Sequence, residues 1–201
     1  MDRKSPVRKA ALLARAGVSD EVCLRDSHRI CRRLLQSDIY QRADTLLMYA
    51  AIRNEVCLDE LAEQAWRDGK PVYFPRVLGP GEMGFYRVQS FEDLIPGSFS
   101  VMEPKAECPV LDAAAMENRK LFMLLPGAAF SVRTGARIGY GQGYYDRFLA
   151  GHGSVRIEKV GIAYDFQLKF DWEPDETDIP VNRIVTETRE VVIDDKVGGI
   201  M

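Results

Sequence analysis

Apolar and polar positions along the 201-residue chain alternate between two periods, and the change from one to the other marks out the elements. Ser5 and Pro6 read as an N-cap and first-turn proline opening a helix that runs to Arg15, with Gly17 at its end. Ser19 reads as the cap of a second helix over residues 20–35, where Val22, Cys23, Ile30, Leu34 and Leu35 interleave with charged residues as one buried stripe. Residues 45–50 form a short apolar run of strand type. Residues 58–67 have helical spacing closed by Gly69, and a new strand begins at Pro71. Strand, helix and strand at these intervals predict a parallel βαβ unit. Residues 121–125 and 159–163 supply two more buried strands with a helix from Tyr144 between them. Residues 83–88 alternate like an antiparallel or edge strand, and 190–193 add a last one. The stretches 79–81 and 171–178 read as loops.

The pattern predicts an α/β fold: one domain over residues 1–201, a three-layer sandwich on a mostly parallel sheet, with the N-terminal helical pair packed on it. Open sheets of this kind gather ligands at the carboxyl ends of their strands. The acidic turn after Ala50, the loop after Leu125 and the segment after Ala163 are therefore expected along one edge.

Composition narrows the function classes. A net charge of −3 argues against a partner bound through nucleic-acid phosphates, which calls for a basic face. No apolar run is long enough for a secretory signal or a membrane span, so a cytoplasmic protein is expected, working as a monomer. Cys23, Cys31, Cys57 and Cys108 show no Cys-x-x-Cys spacing and read as free thiols. His28 and His152, the only histidines, stand outside every motif and read as surface residues.

The chemistry concentrates between Arg137 and Asp146, where Gly139, Gly141 and Gly143 alternate with Tyr140 and Gln142 and are followed by Tyr144 and Tyr145. Glycines let a loop turn through positive φ and bring N–H groups close to an anion, and a helix starting at Tyr144 would aim its positive end at the same place. The run is not a Walker A loop, because the one Gly-Lys pair, Gly69-Lys70, is followed by Pro71. Its spacing also departs from the dinucleotide fingerprint, Gly-x-Gly-x-x-Gly directly after a strand. On residue types alone, an anion cradle and a glycine-rich turn with tyrosines packed on it both remain open.

Residues 126–130, Pro-Gly-Ala-Ala-Phe, followed by 135–149 with this glycine run, resemble the signature of the 5-formyltetrahydrofolate cyclo-ligase family. Lys4 and Arg8 match its N-terminal Lys-x-x-x-Arg. Residues 49–55 match its strand and acidic turn, 99–104 its Gly-Ile-x-Glu-Pro segment, and 178–187 its C-terminal aspartate segment. The resemblance implies ATP- and Mg2+-dependent closure of 5-formyltetrahydrofolate to 5,10-methenyltetrahydrofolate, through a phosphorylated formyl oxygen. It implies ATP binding by Lys4, Arg8, Arg137, Gly139, Tyr140, Gly141, Gln142, Gly143, Tyr144 and Tyr145, with Arg137 stabilising the transferred phosphoryl group. It implies substrate binding by Ala50, Glu55, Tyr140 and Tyr144, with Met48 and Tyr49 lining the pocket and Phe99 either pocket wall or core, and Mg2+ binding by Asp146 and Asp178. Members of that family carry glycine or lysine in place of Gln142, histidine in place of Thr177 and aspartate in place of Asn182. A nucleotide-dependent kinase or ligase acting on another small acceptor, or a folate-binding protein without catalysis, would share the same loop.

Overall fold

In the computed structural model, residues 3–98, 101–117 and 119–193 are described. Helix α1 (Lys4–Ala16) begins earlier than Ser5 and Pro6 predict: Arg3 occupies the cap position and no side chain caps the end. Helix α2 (Asp20–Leu35) follows the expectation closely, with the Ser19 hydroxyl accepting from the Val22 N–H. A short helix α3 (Asp38–Arg42), capped by Ser37, leads into β1 (Thr45–Leu47). Then come α4 (Asp59–Arg67) and a hairpin of β2 (Val72–Gly79) and β3 (Glu82–Val88), whose tip is the glycine-proline turn at 79–81. A ribbon of β4 (Leu94–Pro96) and β5 (Met102–Pro104) precedes the short α5 (Ala113–Met116) and the central strand β6 (Leu121–Leu125). A small hairpin, β7 (Ala129–Phe130) with β8 (Arg137–Ile138), runs into α6 (Tyr144–Gly151), and β9 (Ile157–Ile162), β10 (Arg183–Val185) and β11 (Glu190–Val192) complete the chain.

One seven-stranded sheet has the order β11-β10-β9-β6-β1-β2-β3. The inner pairs are parallel, with Leu46 facing Phe122 and Val72 across β1, and both outermost strands pair antiparallel, as the alternation in 83–88 predicts. Because side chains in a strand alternate in direction, β1 and β6 feed two cores at once. Leu46, Phe122 and Leu124 meet Ile30, Cys31 and Leu34 of α2 and Leu61, Ala62 and Ala65 of α4 on one face. Leu47, Leu121, Met123 and Leu125 meet Phe148 and Leu149 of α6 on the other. All of β6 is buried, which explains why its sequence is a continuous apolar run rather than an alternating one. Truncating Phe122 to Ala in such a core costs about 3–5 kcal/mol.

The two N-terminal helices have different partners. α2 packs on the sheet, whereas α1 closes a third cluster in which Ala11 meets Ala128, Ala129, Ala136, Ile138 and Trp172. Alanines there let α1 approach the β7–β8 hairpin closely, and that contact brings the polar side of α1 beside the glycine run.

Candidate functional site

A cleft of about 910 Å3 opens where the chain leaves β1 and β6, and α1, the hairpin β7–β8, α6 and the segment 175–179 close it in. Every site residue expected from the sequence lines it: Lys4, Arg8, Ala50, Glu55, Arg137, the run from Gly139 to Tyr145, Asp146 and Asp178. Two other expectations change. Met48 is fully buried in the core below α2 rather than in the cleft wall. The segment directly after Ala163 does not reach the cleft; instead buried Gln167 donates from Nε2 to the carbonyls of Gly127 and Ala128 at 2.8 and 2.9 Å and supports the loop after β6 from behind. Phe99 lies outside the described residues.

The glycine run has the geometry that its composition allows. Gly141 and Gly143 adopt φ of 98° and 66°, and Gly143 stands at the N-cap of α6, where no side chain satisfies the first-turn N–H groups. Gly143, Tyr144, Tyr145 and Asp146, at the positive end of α6, line the cleft. Arg8 Nε donates to the Gly139 carbonyl at 2.9 Å, and Arg147 donates to the carbonyls of Gln142 and of Gly81 in the β2–β3 tip, the latter at 2.8 Å. The loop is thus held from both sides, by α1 and by its own helix.

Arg137 is not a surface residue ahead of a turn. It sits in β8, 6% exposed, with Nη2 at 3.1 Å from Asp146 Oδ2 and its guanidinium 5.3 Å from the centre of the Tyr145 ring. That approach to Asp146 pairs charges without the alignment of a hydrogen bond. Nε and Nη2 have no hydrogen-bond acceptor among the described residues. Buried donors left so are costly, and they are what an arriving anion would satisfy.

The carboxylates expected to hold a metal are paired with cations. Lys4 Nζ contacts Asp178 Oδ2 and lies 2.7 Å from Asp175; burial alone would lower its pKa, but the two carboxylates raise it above the ordinary lysine value. Asp146 faces Arg137 with one oxygen and with the other accepts the N–H of Ile179, next to Asp178, at 3.3 Å. Asp146 and Asp178 thus come from α6 and from the 175–179 segment to the same wall. No group of three or more acidic, histidine or cysteine side chains that could enclose a metal occurs among the described residues. Two carboxylates fit Mg2+, which keeps several waters and shares phosphate oxygens. Thr177 also lines the cleft, whereas Asn182 does not: it bonds the backbone of Lys159 in both directions and ties β10 to β9.

Glu55 also lines the cleft. It is buried, its Oε2 accepts the Ile52 N–H at 3.1 Å, and Arg15 Nη1 lies 3.6 Å from Oε1. Desolvation raises its pKa, against the lowering effect of Arg15, the Ile52 N–H and the Tyr140 hydroxyl. Arg53 and Asn54, just before it, both take left-handed backbone at φ of 48° and 59°. Asn tolerates this conformation, while Arg53 is an uncommon non-glycine occupant held there by its surroundings. Tyr140, at the rim, stands between Arg15 and Arg53, 5.7 and 5.6 Å from their guanidinium carbons. Sequence reasoning missed Arg15, Arg53 and Asp175; only the Arg-Asn pair carried any signal, as a turn dipeptide. His28 and His152 stay away from the cleft, on Glu60 and on the Phe148 carbonyl.

The sequence profile of the 5-formyltetrahydrofolate cyclo-ligase family matches residues 1–187. The chain is 33% identical over 150 residues to 5-formyltetrahydrofolate cyclo-ligase of Escherichia coli (strain K12), covering 73% of this chain and 80% of that one. It is 26% identical over 200 residues to a probable 5-formyltetrahydrofolate cyclo-ligase of Caenorhabditis elegans, covering 95% and 96%. Its structure is similar to the NMR structure of Aquifex aeolicus 5,10-methenyltetrahydrofolate synthetase, with a TM-score of 0.81 at 33% identity, covering 98% of this chain and 96% of that one. The chain belongs to the 5-formyltetrahydrofolate cyclo-ligase family of enzymes.

Proposed function

We propose that this protein closes 5-formyltetrahydrofolate to 5,10-methenyltetrahydrofolate at the expense of ATP, with Mg2+, and that the cleft between Glu55 and the glycine run is where it does so. The observation that carries the reading is Arg137: a buried guanidinium in the wall of the cleft, with donors that lack an acceptor among the described residues, lining the same cleft as the buried carboxylate of Glu55. An anion beside Arg137 and a heterocycle with paired N–H donors at Glu55 would satisfy both groups together.

The formyl oxygen on N5 is a poor leaving group until it is phosphorylated. It attacks the terminal phosphorus of ATP, the bond to ADP breaks, and an imidate phosphate forms. N10 then attacks the formyl carbon, the carbon–oxygen bond breaks, and phosphate and the N10 proton depart, leaving the bridged ring. In this scheme Lys4, Arg8 and the N–H groups of Gly139 to Tyr145 hold the phosphates. Arg137 neutralises charge that develops on the phosphoryl group, and Glu55 orients the pterin, with Ala50, Tyr140 and Tyr144 beside it. Asp146 and Asp178 would hold Mg2+, which supplies further charge neutralisation for the phosphate oxygens when bound. Lys4 and Arg137 now pair with those carboxylates, so the cleft is neutralised internally, and a metal–nucleotide pair offers each side chain a partner of the required sign.

The reading takes the chain as one catalytic domain that acts as a monomer in the cytoplasm; no helix among the described residues is long and apolar enough to cross a membrane. An absorbance assay for the methenyl product with ATP, Mg2+ and 5-formyltetrahydrofolate tests it. Product above a control without enzyme is expected. Folded protein that binds ATP and forms no product sinks the cyclo-ligase reading, and ATP turnover independent of the folate would point to another acceptor.

A further inference from the structure

Arg15 does not line the cleft, yet one guanidinium there reaches four places on its wall. It lies in the last turn of α1 and is 1% exposed. Nε donates to the Arg53 carbonyl at 3.0 Å, Nη1 donates to the Gly127 carbonyl at 3.1 Å, and Nη2 donates to the Tyr140 hydroxyl. Nη1 also lies 3.6 Å from Glu55 Oε1. Arg53, Glu55, Gly127 and Tyr140 all face the cleft. The backbone carbonyl of Arg15 accepts Asn54 Nδ2 at 3.4 Å, and that amide also donates to the Val18 carbonyl at 2.9 Å, so the end of α1 and the left-handed Arg53-Asn54 turn are joined by side chain and backbone alike.

A planar fork with fixed donor directions suits this task, and an ammonium group cannot reproduce it. At 1% exposure the guanidinium has no surface to offer a bulky ligand. Its effect must pass through the residues it holds. The same helix carries Arg8, which fixes the Gly139 carbonyl beside Tyr140. One face of α1 therefore sets the start of the glycine run, and its last turn sets the acidic turn across the cleft.

We propose that Arg15 is a positioning residue: it holds Glu55 ionised and oriented, and the Tyr140 hydroxyl beside it, so that the pterin edge meets a preformed acceptor. This rests on the folate reading of Glu55. Without Arg15, the buried carboxylate would lose its nearest cation and the turn at Arg53 its anchor.

The test is a double-mutant cycle on the equilibrium Kd of 5-formyltetrahydrofolate, measured by calorimetry for the parent, Arg15→Lys, Glu55→Gln and the double variant, with ATP affinity and Tm measured on each. Arg15→Lys is expected to weaken folate binding about tenfold, and by much less in the Glu55→Gln background, because the two residues act through one contact. ATP affinity should stay within about twofold, since Lys4, Arg8 and Arg137 are untouched. The acid limb of kcat/KM should move to higher pH in Arg15→Lys, because a less well placed cation leaves Glu55 easier to protonate. Equal weakening in both backgrounds, or a lowered Tm with unchanged folate Kd and pH profile, overturns the proposal and leaves a packing role. If Arg15→Lys does not fold, Arg15→Gln keeps neutral donors for the Arg53 and Gly127 carbonyls, removes the charge beside Glu55, and is read in the same cycle. Folate binding weakened by about threefold or more with ATP affinity kept supports the proposal, and unchanged folate binding overturns it. A parent protein that does not bind 5-formyltetrahydrofolate defeats the functional reading itself, a result that no Arg15 variant can mimic.

Discussion

Replacing Arg137 by Met separates what this residue does for the fold from what it does for the reaction, because the two effects should have opposite signs. On the stability side, the variant loses a charge pair with Asp146, whose side chain is 24% exposed, and the contact of the guanidinium with Tyr145. With Arg137 5% and Asp146 24% exposed, losing the pair costs about 1–3 kcal/mol, between a surface and a fully buried pair, and losing the cation over the ring costs about 0.5–1 kcal/mol. Against this, Nε and Nη2 are buried without an acceptor among the described residues, and each such donor costs about 1–3 kcal/mol, a cost that a methionine of similar length avoids. The sum is close to zero or in favour of the variant. At roughly 2–4 °C per kcal/mol for a chain of this size, Tm should hold or rise by a few degrees. On the catalytic side, removing a preorganised donor from developing phosphoryl charge costs about 100- to 1,000-fold in kcat. The KM for 5-formyltetrahydrofolate should change by less than about threefold, because Glu55 and the groups that hold it are unchanged. Differential scanning fluorimetry and steady-state assays of methenyl product on the same preparation decide it. A kcat within about tenfold of the parent refutes the catalytic role, and a fall in Tm of more than about 5 °C refutes the claim that this arginine is strained in the fold.

Three further outcomes follow from the same geometry. Burial raises the pKa of Glu55 above the ordinary 4.5, so its proton returns earlier as pH falls; kcat/KM should decline on an acid limb above pH 4.5, and Glu55→Gln should abolish that limb along with most folate affinity. An unshifted limb in an active Glu55→Gln variant would remove Glu55 from folate recognition. Gly135 has φ of 71°, and a Cβ there would stand 2.6 Å from the Val181 carbonyl, so Gly135→Ala should lose at least about 2 kcal/mol; an unchanged urea midpoint would count against the turn geometry. Cys31 is 1% exposed and burial pushes its thiol up to about 12, so it should resist a thiol reagent at pH 8 until the protein unfolds, and labelling of native protein at Cys31, located by peptide mapping, would contradict this.

The parts of the fold legible in the sequence are those where one local pattern serves one burial environment. β6 is apolar at each position because both faces of the sheet are covered there, and α2 shows its stripe because only one side is buried. The β4–β5 ribbon and α3 carry no such pattern. β4 is partly exposed, and α3 has five residues, too few to establish a period. The start of α1 was misplaced for a related reason. Ser5 followed by Pro6 satisfies local cap chemistry, yet the helix extends back to Lys4, where tertiary contacts with Asp175 and Asp178 reward the extra residue. Arg15 shows the limit most clearly. At the end of a helix its charge already has a local justification in the dipole, and nothing nearby in sequence signals contacts with residues 53, 55, 127 and 140.

The pairing of charges in the cleft was illegible for a different reason. The family resemblance assigns Lys4 and Arg137 to phosphate and Asp146 and Asp178 to metal, and each assignment is made as if its ligand were already there. Without ligands, a cleft that places such groups on walls this close must neutralise them against each other, because an isolated buried charge costs more than any of these pairs returns. Lys4 therefore lies on Asp178 and Arg137 beside Asp146. The two pairs are not equivalent. Lys4 contacts Asp178 and also has Asp175 within reach, while Arg137 keeps buried donors without an acceptor among the described residues. An anion therefore has less to displace at Arg137 than at Lys4, and the side chain with the most buried donors lacking an acceptor among the described residues is the one assigned to the charge that develops during the reaction.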